Sequence, residues 1–150
     1  MPLIFNRRQV IAVGAGAIAA TTFGGFPAIA ANDSADLINK FTGGKKPADG
    51  RVKIDMPEIA ENGNTVPMTI SVESPMTAQS YVSDVMVVAD GNPRGGVATF
   101  HFSPASGAAE ANTRIRLATS QNIVAIAKMN DGSFYMISKQ VKVTIGGCGG

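Results

Sequence analysis

The sequence predicts an all-β protein, folded as a seven-stranded antiparallel β-sandwich within a chain of 150 residues. Three observations favour this fold class. Apolar and polar residues alternate with period two in segment after segment from Arg51 onward. Turn-forming Gly, Pro, Asn and Asp residues separate these segments, and only one stretch shows helical spacing. Many short strands of this kind are typical of an immunoglobulin-like sandwich, although the sequence lacks the Cys pair and Trp of antibody-type domains.

The predicted elements follow one another closely along the chain. A short helix begins near Asn32-Asp33-Ser34, which offers an N-cap, and ends at Gly43-Gly44. Alternating segments follow, and Glu61-Asn62-Gly63-Asn64 is predicted to be a turn between the first two strands. The strands are predicted over residues 51–56, 66–72, 82–89, 97–102, 113–117, 122–129 and 134–145.

Two of the predicted strands are apolar on both faces, over residues 85–89 and 123–127. A strand of this kind buries one face in the core and needs a cover for the other. The sequence leaves two interpretations open, namely a loop of the same chain or a partner subunit that packs on the sheet.

The first 30 residues have the pattern of an export signal. Arg7 and Arg8 precede a short apolar run, and Ala28-Ile29-Ala30 is a small-x-small site, so we expect cleavage after Ala30. The adjacent arginines indicate the twin-arginine route and hence a periplasmic protein. The alternative, an uncleaved membrane anchor, is disfavoured because the run is too short to span a bilayer. Cleavage would leave a sandwich domain over 31–145, with no membrane attachment.

Composition excludes several classes of function. The net charge of +2 shrinks once the leader and its arginines are removed, so no dedicated nucleic-acid surface is expected. One Cys and one His exclude an internal disulfide and any Cys-rich metal site, and we expect no metal and no cofactor. His101 is predicted to be solvated. Arg114 and Arg116 fit the wet face of a strand better than an anion site, although they could attract an anionic adduct.

The chain ends Gly146-Gly147-Cys148-Gly149-Gly150, and Cys148 is its only cysteine. Because glycine adds no bulk and admits many conformations, residues 146–150 are predicted to be a flexible arm that carries a thiol. No His, second Cys or helix N-terminus adjoins Cys148 in sequence to activate it, which favours a covalent carrier over a catalytic nucleophile. Two alternatives remain: an exported thiol enzyme, such as a peroxidase or sulfurtransferase, and a structural immunoglobulin-like module.

These residues resemble the SoxY family, the cysteine-bearing subunits of the SoxYZ sulfur carrier of periplasmic thiosulfate oxidation. The resemblance spans the mature chain and is most specific in its last segment. It is carried by four segments, at 57–63, 92–93, 113–118 and 143–150.

The resemblance implies a non-enzymatic role in which Cys148 holds the substrate covalently. A haem c enzyme would couple thiosulfate to Cys148 as an S-thiosulfonate, and a hydrolase would release the terminal sulfonate as sulfate. A sulfur dehydrogenase, where present, would oxidise the sulfane that remains. It also implies a heterodimer with a SoxZ-like subunit that covers one sheet face.

Overall fold

The computed structural model describes residues 32–147, so the predicted leader and residues 148–150 lie outside the described part. Helix α1 spans Ser34–Thr42 and ends where predicted, at Gly43, whose left-handed backbone (φ 63°) lets its N–H donate to the Asn39 carbonyl. At its start, the Asp33 carboxylate accepts a bond from the Gly95 N–H at 2.6 Å instead of capping the helix. None of the described helices has the length and apolar character needed to cross a membrane.

Nine strands follow α1 within residues 32–147. They are β1 (Ala48–Asp49), β2 (Val52–Asp55), β3 (Ile59–Asn62), β4 (Val66–Val72), β5 (Val82–Ala89), β6 (Gly96–His101), β7 (Ala109–Ile115), β8 (Gln121–Met129) and β9 (Phe134–Ile145), with a 3-10 turn at Pro104–Ser106.

The strands form two sheets that pack face to face. One is six-stranded, in the order β1-β9-β8-β5-β6 with β3 also paired to β9, and the other is three-stranded, β2-β4-β7. Alternate residues of both sheets meet in one core, where Met68, Ile70, Leu117, Ile123 and Val141 are almost completely buried. The predicted two-layer sandwich is therefore confirmed, and the core forms because each strand presents its apolar set to the same side.

Helix α1 covers the outer face of the central strands β5 and β8. A second apolar cluster forms there, in which Leu37, Ile38 and Phe41 pack near Met86 and Ile126. The ring of Phe41 also meets Phe134 of β9 edge-on, with centroids 5.8 Å apart. The two-sided apolar strands predicted from the sequence are thus covered by the chain's own helix, which was neither of the two interpretations left open.

Two strands were missed, and both run parallel to β9. β1 pairs Ala48 with Tyr135, and β3 pairs Ile59 with Lys142, so the prediction of a purely antiparallel arrangement was wrong at this edge. A two-residue strand has no period to detect, and β3 buries only Ala60, so neither strand carries an alternating pattern. For the same reason, the turn predicted over 61–64 begins inside β3.

One strand is displaced from its predicted position. β7 spans Ala109–Ile115 rather than 113–117, since its pairing with β4 ends where Val66 meets Ile115. Leu117 lies beyond the ladder and donates its N–H to the Gly63 carbonyl instead. Leu117 was included in the predicted strand because it continues the apolar alternation. It is indeed buried, but it belongs to the segment that follows β7.

Candidate functional site

Three backbone hydrogen bonds hold the end of β9 and the two residues after it. The Gly63 N–H donates to the Ile145 carbonyl (2.7 Å), and the Leu117 N–H donates to the Gly63 carbonyl (2.8 Å). The Gly147 N–H in turn donates to the Leu117 carbonyl (2.8 Å). We call this arrangement of Gly63, Leu117, Gly146 and Gly147 the glycine clasp. It joins three segments that are far apart in sequence, immediately before Cys148.

Glycine is required at three positions of the clasp because backbone atoms approach too closely for a side chain. A Cβ atom on Gly63 would overlap the Leu117 carbonyl oxygen, and one on Gly146 would overlap the Ala118 carbonyl oxygen. A Cβ on Gly147 would lie 2.7 Å from the Gly63 carbonyl oxygen. These glycines therefore permit close packing here, rather than conformational freedom.

A buried polar network supports the segment on which Gly147 rests. Asn92, only 5% exposed, donates from Nδ2 to the Arg116 carbonyl (2.9 Å) and accepts at Oδ1 from the Ala118 N–H (2.9 Å). The same Oδ1 accepts from Nε2 of Gln121 (2.8 Å), whose Oε1 accepts from the Gly91 N–H (2.8 Å). Every buried side-chain nitrogen and oxygen within 32–147 has a partner, so the network is fully satisfied.

The loop before β8 is fastened to β9 by a side chain. Ser120 Oγ accepts from the Val143 N–H (2.9 Å) and donates to the Val143 carbonyl (3.4 Å). The ladder between β8 and β9 ends at the pair Gln121–Val141, so Ser120 extends the attachment of β9 toward the clasp.

An open groove of about 750 Å³ runs beside this part of β9. Its walls include charges of both signs, from Glu58 and Lys142, together with Ile59 and Ser120. Ile59 (61% exposed) and Ile145 (66%) are the exposed large hydrophobic residues of the described part, and both lie on the paired strands β3 and β9 that lead to the clasp. The surface next to the clasp thus combines apolar and charged groups.

The predicted flexible arm needs a correction at its first two residues. Gly146 and Gly147 were predicted to be part of a free arm over 146–150, whereas both pack closely against the body, and Gly147 is buried. The reason is the glycine clasp, which uses them as contact points. The predicted attachment residue Cys148, together with Gly149 and Gly150, lies outside the described residues, as do Arg7 and Arg8 of the predicted leader.

The other predicted side chains lie away from the clasp or on the surface. His101 is exposed and its Nδ1 lies 2.6 Å from Oδ1 of Asp84 on the neighbouring strand. Arg114 and Arg116 are both exposed, as a wet strand face requires. No group of three or more metal-ligating side chains occurs among residues 32–147.

Two surface carboxyls have lowered pKa values, each from a local partner. The ammonium of Lys53 lies 2.6 Å from Glu73 and lowers the pKa of Glu73, first through its hydrogen bond and then through its charge. The side-chain and backbone hydrogen bonds from Ser133 lower the pKa of Asp131. Both carboxyls therefore favour their charged form, and each contacts a neighbouring residue on the protein surface.

Three contributors to the site were not identified from the sequence. Gly63 was assigned to a turn, Asn92 to the turn residues after the third strand and to one segment of the family resemblance, and Gln121 was given no role. Asn and Gln are seldom buried without a network, but no local pattern reveals which of them will be. The contact between Gly63 and Gly147 depends on pairing of β3 with β9, which the sequence pattern did not predict.

The β-sandwich and the lone cysteine that follows its last strand fall within one protein family. The family model described as "Sulfur oxidation protein SoxY" matches residues 38–148, a region that runs from helix α1 to Cys148. The class is therefore that of sulfur oxidation proteins. The chain belongs to the SoxY family, and the matched region covers most of its length.

Comparison with solved structures agrees with this assignment. The sulfur carrier protein SoxY from Chlorobium limicola f thiosulfatophilum is 30% identical, with a TM-score of 0.61, over 74% of this chain and 96% of that one. A superoxide reductase (neelaredoxin) from Ignicoccus hospitalis is 20% identical, with a TM-score of 0.56, over 63% and 80%. The superoxide reductase from Nanoarchaeum equitans is 12% identical, with a TM-score of 0.54, over 64% and 100%. The reductases share the fold alone. A search of curated proteins gives no match.

Proposed function

We propose that this protein is a periplasmic sulfur carrier that holds thiosulfate-derived intermediates on Cys148. The observation that carries the proposal is the family match, which extends to Cys148 and no further. The 30% identical carrier from Chlorobium limicola f thiosulfatophilum supports the same role. Cys148 is the only cysteine of the chain, so a covalent adduct on sulfur has one place to form.

The chemistry needs only a thiol from this chain. In the first step the Cys148 thiol and thiosulfate form a sulfur–sulfur bond, with release of one proton and of two electrons to a haem c enzyme. Water then cleaves the terminal sulfonate as sulfate and leaves a persulfide on Cys148. A sulfur dehydrogenase would oxidise that outer sulfur to a sulfonate, with water as the oxygen source and six electrons removed. A second hydrolysis returns the thiol.

In this proposal the carrier presents Cys148 and its adduct to the enzymes and does not itself catalyse a reaction. Each enzyme must reach Cys148 at the same place, directly after Gly147, whose amide is bonded to Leu117. Ile145 is 66% exposed beside this point and offers an apolar contact for an approaching surface. A few exposed apolar side chains make a small interface, and small interfaces are suited to the brief encounters of a carrier that visits several enzymes.

We further propose a heterodimer with a SoxZ-like subunit. Helix α1 already covers the outer face of β5 and β8, so the partner would need a different surface. Within the described residues, the surfaces available to the partner include β6 and β7, two of the strands at sheet edges, and the outer face of the three-stranded sheet. Copurification of the two subunits from cells, followed by native mass spectrometry, tests this assembly. A native mass equal to one copy of this chain after gentle isolation would contradict it.

The decisive experiment for the carrier role is the intact mass of the protein isolated from the periplasm of cells grown on thiosulfate. Masses that exceed the free thiol by sulfane and thiosulfonate groups, that map to Cys148 and that disappear with a reductant would support the carrier. The Cys148→Ala variant is the matched control and should show none of them while it keeps the same fold.

Other outcomes favour the alternatives. A clean thiol with a strongly lowered pKa, and turnover by the purified protein alone, would indicate a thiol enzyme. Normal thiosulfate oxidation in cells that carry Cys148→Ala would indicate a structural module. Absence of the protein from the periplasmic fraction would contradict the proposed location.

A further inference from the structure

We propose that Gly63 and Asn92 are positioning residues for Cys148, because together they fix the point from which the thiol projects. The inference rests on the proposed carrier function. The chain is held against the body as far as Gly147 and not only to the end of β9, so an enzyme must reach Cys148 within one residue of an anchored point.

The first observation is the closed set of bonds in the glycine clasp. Gly63 accepts from Leu117 and donates to Ile145, so it links β9 to the segment after β7. Gly147 completes the set by donating to Leu117. The clasp leaves one peptide unit between a bonded amide and Cys148. The thiol can then lie no more than on the order of 8 Å from the Gly147 nitrogen.

The second observation is the rigidity of the support. Leu117 is completely buried, and Asn92 holds the residues on both sides of it through the Arg116 carbonyl and the Ala118 N–H. Gly147 therefore rests on residues 116–118, which we call the strip. The Leu117 side chain of the strip is packed in the core, and the buried amide of Asn92 fixes the backbone groups of Arg116 and Ala118. Release of Gly146 and Gly147 from this strip would lengthen the reach of the thiol by about 7 Å.

The third observation is the surface around the clasp. The exposed large hydrophobic residues of the described part, Ile59 and Ile145, lie on the strand pair that ends there. An enzyme that meets Cys148 at short reach must cover this surface. A released arm would allow the enzyme to stay farther away and would make no use of these side chains.

The test compares alanine substitutions on the two sides of Cys148. Gly146→Ala brings a Cβ against the Ala118 carbonyl and should open the clasp, and it lies beyond β9 where it does not disturb the sandwich. Gly149→Ala is the matched control, the same change within the terminal segment but outside the clasp. Gly63→Ala opens the clasp from its other side, and Gly96→Ala is a remote control whose Cβ would meet only the flexible end of Leu37, at 3.3 Å.

Hydrogen exchange at the Gly147 amide, followed by NMR on the full chain, is the direct measurement. We expect slow exchange in the wild type, at least a tenfold faster rate in Gly146→Ala and Gly63→Ala, and no such change in Gly149→Ala or Gly96→Ala. Free exchange in the wild type would overturn the proposal. An equal increase of the Gly147 exchange rate in Gly146→Ala and Gly149→Ala would also overturn it. The increase would then follow from any glycine-to-alanine change near residue 147 and not from the clasp.

A second measurement separates positioning from structure. Purified carrier is titrated into periplasmic extract of cells that lack this chain, and thiosulfate-dependent electron transfer is recorded. For Gly146→Ala we expect the half-saturating carrier concentration to rise by at least about tenfold, because two released glycines must be ordered at each encounter, with the maximal rate unchanged. Alkylation of Cys148 by iodoacetamide should keep its rate. An unchanged half-saturating concentration would refute the positioning role.

Different results would reject the carrier function and the positioning role of the clasp. If wild-type protein supports no thiosulfate-dependent electron transfer, the carrier function fails, and the exchange measurement still decides whether the clasp exists. If the wild type is active and its Gly147 amide exchanges freely, the carrier function stands and the positioning proposal fails.

Discussion

Replacement of Asn92 by alanine should lower the free energy of unfolding by about 2–4 kcal/mol. The substitution removes three side-chain hydrogen bonds at a residue that is 5% exposed. Gln121 retains another acceptor in the Thr119 carbonyl, but the Arg116 carbonyl and the Ala118 N–H lose their partners. A buried unsatisfied group costs about 1–3 kcal/mol; because these two backbone groups are only partly buried, about 1–2 kcal/mol applies to each, which gives the stated range.

Urea denaturation followed by circular dichroism measures this change. With an m-value of about 1–3 kcal/mol per molar urea, the midpoint should fall by on the order of 1–2 M while the m-value stays constant. Asn112→Ala is the matched control. The Asn112 side chain is exposed and bonds to the side chains of Thr69 and Glu110, so its truncation should change stability by no more than about 0.5 kcal/mol.

Equal urea midpoints for the two asparagine variants would contradict this prediction. That result would mean that water or a rearranged loop satisfies the groups around residue 92, and that the strip beneath Gly147 has no buried support. A change in m-value would point instead to an altered unfolded state or to loss of two-state behaviour.

Three further predictions concern other parts of the chain. Phe41→Ala should cost about 1–2 kcal/mol in urea denaturation, less than for a core Phe, because Phe41 is only half-buried and loses its aromatic contact with Phe134. Glu73→Gln should lower the thermal midpoint at pH 7 and not in strong acid. The pKa of Glu73 is lowered in the folded chain by Lys53, so its stabilisation is present above the ordinary carboxyl pKa and is lost as the pH falls through the folded value. Replacement of both Arg7 and Arg8 by lysine should block export, seen as an uncleaved precursor in the cytoplasmic fraction; normal periplasmic yield would contradict the twin-arginine prediction.

The strands that alternate over six or more residues were predicted close to their observed bounds. β4 and β8 each bury every second residue, and such a periodic signal is hard to mistake, whereas β5 and β9 were bounded by the turn-forming residues around them. β1 and β3 were missed because their stability comes from pairing with β9 rather than from a buried face. Helix α1 was predicted, but its place on the sheet was not, since spacing shows which side of a helix is apolar and not what that side meets.

The site was predicted only in part, for a physical reason. Glycine occurs both where the backbone must be flexible and where another chain segment approaches closely. The residues next to Gly146 and Gly147 in the sequence do not show which of these two uses applies. The distinction depends on Gly63, which lies 83 residues before Gly146 and reaches it only through the parallel pairing of β3. The choice of Cys148 as the attachment residue rests on its position and composition and stays a prediction, whereas no sequence pattern could identify the clasp.

The turn between β5 and β6 has a consequence for protein engineering. Asn32, at the start of the described residues, donates from Nδ2 to the carbonyls of Ala89 and Asn92, and the Asn92 side chain supports the strip beneath Gly147. The beginning and the end of the described chain therefore rest on one turn. A truncation that removes Asn32 would remove both of these side-chain hydrogen bonds from the turn. An engineered amino-terminal boundary should therefore keep Asn32, even though the thiol lies at the opposite end of the sequence.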